Sequence, residues 1–284
     1  MAVNPALNTA KLKPRFEAKS RRKWASTVHG LVLAAIALVW GFPTLWVLYE
    51  AFFDSGKRIG FTLQNFVQAF ASAPFAKYSV NTVVIVFGLL AVQLVTGAAV
   101  GFVLARFDFP LKSLVTAVFV MQIVIPIYAV MIEDYQILRA MHLLDTKAGL
   151  MLPYAVSGIA VLSFRQAFRS VPRELEEAAR LDGYRMFGIF RRVYLPQAVP
   201  AALAFAVISV TYHWTDFLWP MIVTNTAQSR PIVVGLAMLA QSSESGMQWN
   251  LLAAGTAIVI IPVLLVFVAA TKKILRAFST TFNW

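Results

Sequence analysis

The segment RSVPRELEEAARLDGYRMFGIFRRVYLPQAVP, residues 169–200, is crowded with charged side chains but lies between two strongly apolar runs. Its first half carries the signals of a short helix: Ser170 can cap it, Pro172 fits its first turn, and Gly183 tolerates the left-handed conformation in which helices often end. Three acids lie near the positive end of the helix dipole, namely Glu174, Glu176 and Glu177. The second half, residues 184–193, predicts another amphipathic piece that leads to Leu195-Pro196.

One face of the first helix is narrow. Leu175, Ala178, Ala179 and Asp182 recur at the spacing i, i+3, i+4, i+7, which places them on the same side of a helix. A solvated connector has no need of alanines on its exposed side, whereas small side chains suit the close approach of another protein. We therefore expect both alanines to be exposed and the flanking acids to pair with basic residues of a partner.

The regions on either side of this segment indicate a membrane protein. Of the 284 residues, 59% are hydrophobic and 13% charged, and the mean hydropathy is +0.70, far outside the globular balance. As helices, six apolar runs could each cross a hydrocarbon core of about 30 Å. They span residues 29–49, 81–104, 114–132, 148–164, 198–224 and 251–270. We expect an all-α, polytopic membrane protein with six transmembrane helices.

The basic residues orient these helices. Nineteen of the 25 Lys and Arg residues lie in the two terminal segments, in the loop after the second run and in the loop after the fourth. By the positive-inside rule, both termini and the 169–200 loop are cytoplasmic. The chain then divides into a basic N-terminal segment (1–27), a six-helix domain (28–271) and a tail (272–284). Membrane topology and attraction to anionic lipid account for most of the net charge of +12, so nucleic-acid binding is not required.

Several kinds of chemistry lack the residues that they need. The chain contains no cysteine, which removes disulfides, thiolate catalysis and Cys-based metal sites. GxxxxGK, H-E-x-x-H and G-x-S-x-G patterns are also absent from the sequence. The three histidines, His29, His142 and His213, are far apart and are interpreted as structural. We expect neither enzymatic activity nor a bound cofactor in this chain.

Polar residues within two of the apolar runs are candidates for a solute pathway. In the third run, Pro126 lies between Gln122 and Tyr128. A proline inside a helix frees a carbonyl that neighbours or water must satisfy, so a cavity-lining break is expected here, with an ordinary structural kink as the alternative.

In the fifth run, Asp216 lies deep enough that its carboxylate should face the helix bundle or water. The flanking Trp214 and Trp219 either belong to an interfacial aromatic belt or form a sugar-facing surface on which Asp216 accepts hydroxyl hydrogen bonds.

The 169–200 segment resembles a known motif. Glu177-Ala178-Ala179, then Gly183 and then Val193-Tyr194-Leu195-Pro196 match the EAA-x3-G-x9-I-x-LP pattern of ABC importer permeases, with Val193 at the Ile position. The stretches LLDTKAGLMLPY (143–154), FTLQNFVQAF (61–70) and WTDFLWP (214–220) extend the similarity to the carbohydrate-uptake, maltose-type branch and its MalG-like subunit.

This resemblance implies that the segment is a coupling helix that docks on a separate ATPase. Six residues would form the docking surface: Glu174, Glu177, Ala178, Ala179, Asp182 and Gly183. ATP and Mg²⁺ would be bound by that ATPase. The implied partners are a MalF-like permease, two ATPase subunits and an extracytoplasmic solute-binding protein, in a bacterial inner membrane. The binding protein would contact the external loops 54–79 and 224–249, with NFVQAF lying flat on the outer surface.

Two other functions remain open at this point. A stand-alone secondary transporter or channel would use Asp216 as an ion site, and it predicts inverted internal repeats that the sequence does not display. A membrane-embedded enzyme would need His, Asp and Glu clustered within the apolar runs, where they are scattered.

Overall fold

The computed structural model describes residues 14–53, 60–242 and 249–281. Over these residues the chain is helical, and its only strand-like pairing is one antiparallel bridge between Phe53 and Phe61. Four stretches lie outside the described part: residues 1–13 of the basic segment, residues 54–59 and 243–248 of the two external loops, and residues 282–284 of the tail.

Fourteen α-helices, α1 to α14, follow one another along the described residues. They are α1 (Pro14–Phe52), α2 (Gln64–Ser72), α3 (Phe75–Arg106), α4 (Lys112–Val124), α5 (Met131–Ala140), α6 (Lys147–Met151), α7 (Gly158–Arg169), α8 (Arg173–Leu181), α9 (Met186–Ile189), α10 (Leu195–Gln197), α11 (Val199–Thr215), α12 (Leu218–Val223), α13 (Ile232–Ser242) and α14 (Trp249–Thr281).

The prediction of an all-α membrane protein is confirmed for the described residues, but the apolar runs are not six unbroken helices. Val28–Phe52 within α1 and Phe75–Arg106, which is α3, are each long and apolar enough to cross a bilayer. The third, fourth and fifth runs are wrong as continuous helices. The third ends as a helix at Val124, and the fourth bends by 50° between α6 and α7. The fifth is interrupted at Asp216 and Phe217, between α11 and α12, and a 67° bend lies at its first residue, Ala198, before α11.

Prolines and capping residues explain these breaks. Ile125, directly after α4, has an extended backbone (ψ 119°), because the following Pro126 restricts the residue before it and cannot donate to the preceding turn. Ser157 caps α7 by accepting a hydrogen bond from the Ala160 amide. At the bend before α11, Pro196 and Pro200 flank Ala198, where α10 ends and α11 begins.

The central packing contact joins α3 to α7, and two glycines allow it. A Cβ atom on Gly97 would lie 2.7 Å from the Ala160 Cβ, and one on Gly101 would lie 2.8 Å from the Phe164 Cβ. Only hydrogen fits at these positions, so the two backbones approach closely, as small residues permit between membrane helices. The helices α1 and α14 form a second extensive contact.

A polar latch fixes the 224–231 loop. The Asp145 carboxylate accepts hydrogen bonds from the amides of Asn225 (3.0 Å) and Thr226 (3.1 Å) and from the Ser229 hydroxyl. Burial alone would raise the pKa of Asp145, but these hydrogen bonds outweigh it and hold the pKa below its ordinary value. The loop therefore has one preferred arrangement at neutral pH.

Candidate functional site

The charged segment folds into a short surface helix, α8, as the sequence predicts. Its first residue is Arg173, and Pro172 precedes it with an extended backbone (φ −57°, ψ 142°). Ser170 is not the cap, which corrects the prediction: it ends α7 in a helical conformation and its hydroxyl donates to the Ala167 carbonyl. Gly183 has φ +83°, which confirms the left-handed turn after the helix.

The predicted docking residues do not all share one exposed face. Glu174, Glu177, Ala178, Asp182 and Gly183 are exposed. Ala179 is only 7% exposed and packs in a cluster with Phe168, Ile189 and Tyr194, so the expectation that both alanines face outward is wrong for Ala179. The small side chain of Ala179 instead lets α8 lie close against the rest of its own chain.

Two large apolar side chains near the Gly183 turn are strongly exposed. Leu181 is 90% exposed and Phe187 is 75% exposed. The amphipathic pattern of residues 184–193 did not single them out, because their exposure depends on the turn that separates α8 from α9. Exposed apolar side chains beside exposed acids are typical of a surface that another protein covers.

The inner side of α8 is fixed by a polar cluster that sequence reasoning missed. The fully buried Tyr194 donates its hydroxyl proton to the Glu176 carboxylate. Arg180 also pairs with Glu176 (2.7 Å), and the Arg106 guanidinium lies 4.6 Å from the centre of the Tyr194 ring. Arg106 donates in addition to the Val171 carbonyl just before α8. We call Glu176, Tyr194 and Arg106 the α8 anchor.

The charge of Glu176 follows from this environment. Burial alone would raise the pKa of Glu176, but the hydrogen bonds from Tyr194 and Arg180 and the charges of Arg180 and Arg106 lower it overall. Glu176 is therefore ionised at neutral pH, and its hydrogen bond from Tyr194 is charge-assisted.

Beyond Gly183 the predicted second piece, residues 184–193, is helical from Met186 onward but is not a regular α-helix throughout. The helix α9 covers Met186–Ile189, and a π-helical turn, Phe190–Tyr194, continues into α10. A π-turn adds a residue to the helical repeat, and such turns are frequent at functional sites. Here it rotates Tyr194 inward onto Glu176.

A cavity of about 310 Å³ lies among the broken segments. Its walls come from α3, α4, α7 and α11 and from the breaks at 125–127 and 153–157. The lining residues are Gln93, Gln122, Ile123, Ile125, Pro126, Ile127, Pro153, Tyr154, Val156, Ser157, Gly158, Ile159, Phe205, Ile208, Ser209, Tyr212 and His213. This volume is at the lower end of the range of roughly 300–1,000 Å³ for small-molecule sites.

Gln93 organises the polar side of the cavity. Its Nε2 donates to the Tyr154 carbonyl (2.8 Å) and lies 3.3 Å from His213 Nε2, and its Oε1 accepts from the Ser209 hydroxyl (2.7 Å). Because a carbonyl can only accept, the amide must face Tyr154 with its nitrogen. The network thus assigns His213 Nε2 as an acceptor and its proton to Nδ1, which makes the ring neutral.

The predicted pathway residues divide into two groups. Gln122 lines the cavity and donates to the Val156 carbonyl (2.8 Å), and Asp216 lies beside the cavity, where it accepts from the Tyr154 hydroxyl (3.1 Å). Tyr128 is exposed but is not among the lining residues.

The solute-facing and aromatic-belt interpretations of Trp214 and Trp219 are both wrong. Each side chain is buried within the chain: Trp214 donates to the Val259 carbonyl (3.0 Å) and Trp219 to the Leu150 carbonyl (3.4 Å). The cavity instead uses Gln93, Ser209 and His213. Gln93 is on a different helix from Ser209 and His213, which lie one turn apart, and no sequence motif links the three.

In the described part of the chain, His, Asp and Glu side chains do not come together in a group of three that could hold a metal ion.

Comparisons with known proteins agree with the resemblance carried by the EAA pattern. The family model described as "binding-protein-dependent transport system inner membrane component" matches residues 97–279. The chain is 31% identical over 278 residues to the diacetylchitobiose uptake system permease protein NgcG of Streptomyces coelicolor, covering 93% of this chain and 91% of that protein.

Two further relatives carry other solutes in their names. The arabinooligosaccharides transport system permease protein AraQ of Halalkalibacterium halodurans is 30% identical, with 86% of this chain and 90% of that protein covered. The sn-glycerol-3-phosphate transport system permease protein UgpE of Brucella abortus is 29% identical, with 71% of each covered.

Solved structures share the fold. A chain of a bacterial ABC transporter involved in the import of the acidic polysaccharide alginate superposes with a TM-score of 0.78 at 19% identity, covering 93% of this chain and 99% of that one. A chain of the MetNI methionine ABC transporter gives a TM-score of 0.53 at 19% identity, with 72% and 95% covered.

Proposed function

This chain belongs to the family of binding-protein-dependent transport system inner membrane components, and we propose that it is the MalG-like permease subunit of an ABC importer for a carbohydrate or related polyol or glycerol phosphate. In this proposal a separate ATPase supplies the energy. The observation that carries it is the exposed surface of α8, within a motif that matches the EAA pattern and ends in the left-handed Gly183.

The surface of this chain that docks on the ATPase is formed by the outer side of α8 and the turn that follows. Glu174, Glu177 and Asp182 supply negative charge for basic residues of the partner, and Ala178 allows close approach. Leu181 and Phe187, exposed beside the acids, supply the apolar part that becomes buried on docking. Ala179 is left out of this surface because it packs inward.

The membrane arrangement that we propose keeps six passages, both termini and the 169–200 loop in the cytoplasm, and a bacterial inner membrane. The bent helix pairs support it, since Lys147–Arg169 and Met186–Thr215 each have the length and apolar character of a passage if the two halves are taken together. The division at residues 27 and 271, the MalF-like partner, the two ATPase subunits and the binding protein are part of the same proposal.

The solute-binding protein is proposed to dock on the surface that includes α2 and the 224–231 loop. In α2 the buried Asn65 donates to the carbonyls of Ala51 (3.1 Å) and Phe53 (3.0 Å), which holds this helix against the end of α1. The Asp145 latch fixes the loop. Both elements are therefore shaped before a partner arrives.

Charge reversal at Glu177 tests the docking proposal. We expect Glu177→Lys to insert normally but to lose co-purification with the ATPase and ATP-driven uptake, because a cation would face the basic residues of the partner. Asp108→Lys is the matched control, since Asp108 is also exposed and predicted to be cytoplasmic but belongs to the loop between α3 and α4 and not to α8. Full ATPase capture and uptake by Glu177→Lys would contradict the role of this face.

A further inference from the structure

The cavity described above has a distinctive chemistry that docking on an ATPase does not require. Its polar atoms are amides, hydroxyls and one imidazole, and none of its lining residues is Lys, Arg, Asp or Glu. The imidazole of His213 is neutral in the network that Gln93 organises. The lining residues therefore offer hydrogen-bond donors and acceptors but no net charge.

The lack of a cation decides which solutes suit the cavity. A phosphate or carboxylate that leaves water needs Arg, Lys or several oriented amides to offset its lost hydration, and an uncompensated buried charge is costly. The nearest acid in the network, Asp216, is bound to the hydroxyl of the lining residue Tyr154 and would add repulsion. An anion is therefore disfavoured both by the lack of a cation among the lining residues and by the nearby Asp216 carboxylate.

The aromatic side chains favour a ring with hydroxyl groups. Tyr212 is half exposed and stands edge-on to Tyr154 and to His213, with ring centres 6.4 Å and 5.0 Å away. Aromatic faces carry partial negative charge and attract the C–H groups of a sugar ring. Gln122 and Ser157, across the cavity, add amide and hydroxyl groups for the polar edge of such a ring.

We propose that this cavity is a solute-contact site within this subunit and that it accepts neutral, polyhydroxylated solutes such as saccharides and excludes phosphorylated ones. This inference rests on the proposed function, and it narrows it, since a glycerol phosphate would not be carried. The ring of Tyr212 is the principal contact, and the Gln93 network holds the neighbouring Tyr154 and His213 in place.

The test uses the whole importer, with its partner permease, ATPase and binding protein, in proteoliposomes. Three probes are compared: diacetylchitobiose, arabinotriose and sn-glycerol 3-phosphate. We expect ATP-dependent uptake of at least one of the two neutral saccharides and none of sn-glycerol 3-phosphate. Uptake of sn-glycerol 3-phosphate overturns the inference, whereas failure to take up any of the three counts against the proposed function itself.

A pair of matched variants then locates the contact. With the transported saccharide, Tyr212→Leu should raise the KM for uptake about tenfold, and Tyr212→Phe, which keeps the ring, should raise it much less. Tyr49→Leu is the control, because Tyr49 is exposed to the same degree but lies on α1, away from the cavity. An unchanged KM in Tyr212→Leu, with normal amounts of assembled chain, overturns the inference while leaving the importer role intact.

Discussion

Removing one oxygen atom from the α8 anchor should loosen α8 without disturbing the core around it. In Tyr194→Phe the ring remains packed edge-on against Phe102 and Phe168, with centroids 5.0 Å and 5.9 Å away. The Arg106 guanidinium also keeps its place over the ring, since a phenyl face attracts a cation as a phenol does. The change therefore removes only the interactions of the hydroxyl, chiefly its hydrogen bond to Glu176.

The size of the effect follows from the charge on Glu176. A hydrogen bond to a charged group contributes about 1.5–3 kcal/mol when its partner is removed. After the substitution Glu176 keeps its pair with Arg180, but this i, i+4 pair at the helix surface adds only roughly 0.3–0.5 kcal/mol. We expect the free energy of local opening of α8 to fall by about 1.5 kcal/mol, which is roughly a tenfold loss of protection.

Amide hydrogen exchange of the assembled membrane protein measures this loss. Residues 173–182 should exchange about tenfold faster in Tyr194→Phe, while α3 and α7 keep their wild-type rates. Tyr184→Phe is the matched control, because Tyr184 lies in the same loop and its hydroxyl is bonded only to the exposed Arg192. If α8 exchanges equally fast in the wild type, the control and Tyr194→Phe, the anchor does not hold the helix.

Three other predictions address packing, pH and the two alanines. Gly101→Val should destabilise the chain by about 1–3 kcal/mol through overpacking against α7 and lower its thermal midpoint, whereas Gly41→Val, where nothing lies within 4 Å, should not. Because the pKa of Asp145 is depressed, the contribution of Asp145 to folding is complete above the ordinary Asp pKa of about 3.9 and is lost as pH falls through the lower folded-state pKa. Amide protection of residues 225–226 should therefore persist at pH 4. The same protection should be absent in Asp145→Asn at pH 7. Ala178→Leu should block ATPase capture with an unchanged thermal midpoint, whereas Ala179→Leu should lower the midpoint, and the reverse pattern would contradict the inward packing of Ala179.

The local features of α8 could be predicted because short-range rules determine them. Pro172, the acids of the first turn and Gly183 specify where α8 begins and ends within a few residues. Which face of α8 turns inward depends instead on Tyr194, 18 residues away from Glu176, and on the π-turn that rotates it. Helical periodicity places both alanines on one face and takes no account of that distant contact. It therefore predicted that the Ala179 side chain is exposed.

The membrane helices show the same division. Composition identifies apolar runs because burial in lipid depends on the average character of about 20 residues. The bends before α7 and α11 and the end of α4 depend on single prolines and caps, which an average conceals. Trp214 and Trp219 were misplaced because a tryptophan at a membrane surface and one that donates to a buried carbonyl have the same local sequence, and only packing separates them.

The cavity and the α8 anchor are connected through α3 and, by way of the bend at Ala198, through α11. The helix α3 carries Gln93 at the cavity and Arg106 at the α8 anchor, about 13 residues or roughly 20 Å apart along the helix. The helix α11 carries Ser209 and His213, and the bend at Ala198 separates it from Tyr194. Contact alone does not couple two sites; coupling needs an element with two arrangements. The 67° bend is such an element if displacement of α8 changes the angle between α10 and α11. Rotation of α11 would then pull the Ser209 hydroxyl away from Gln93 and open the polar wall of the cavity. A crosslink that fixes α10 to α11 should therefore leave ATPase binding intact and abolish uptake, and unchanged uptake in the crosslinked importer would show that motion enters the cavity by another route.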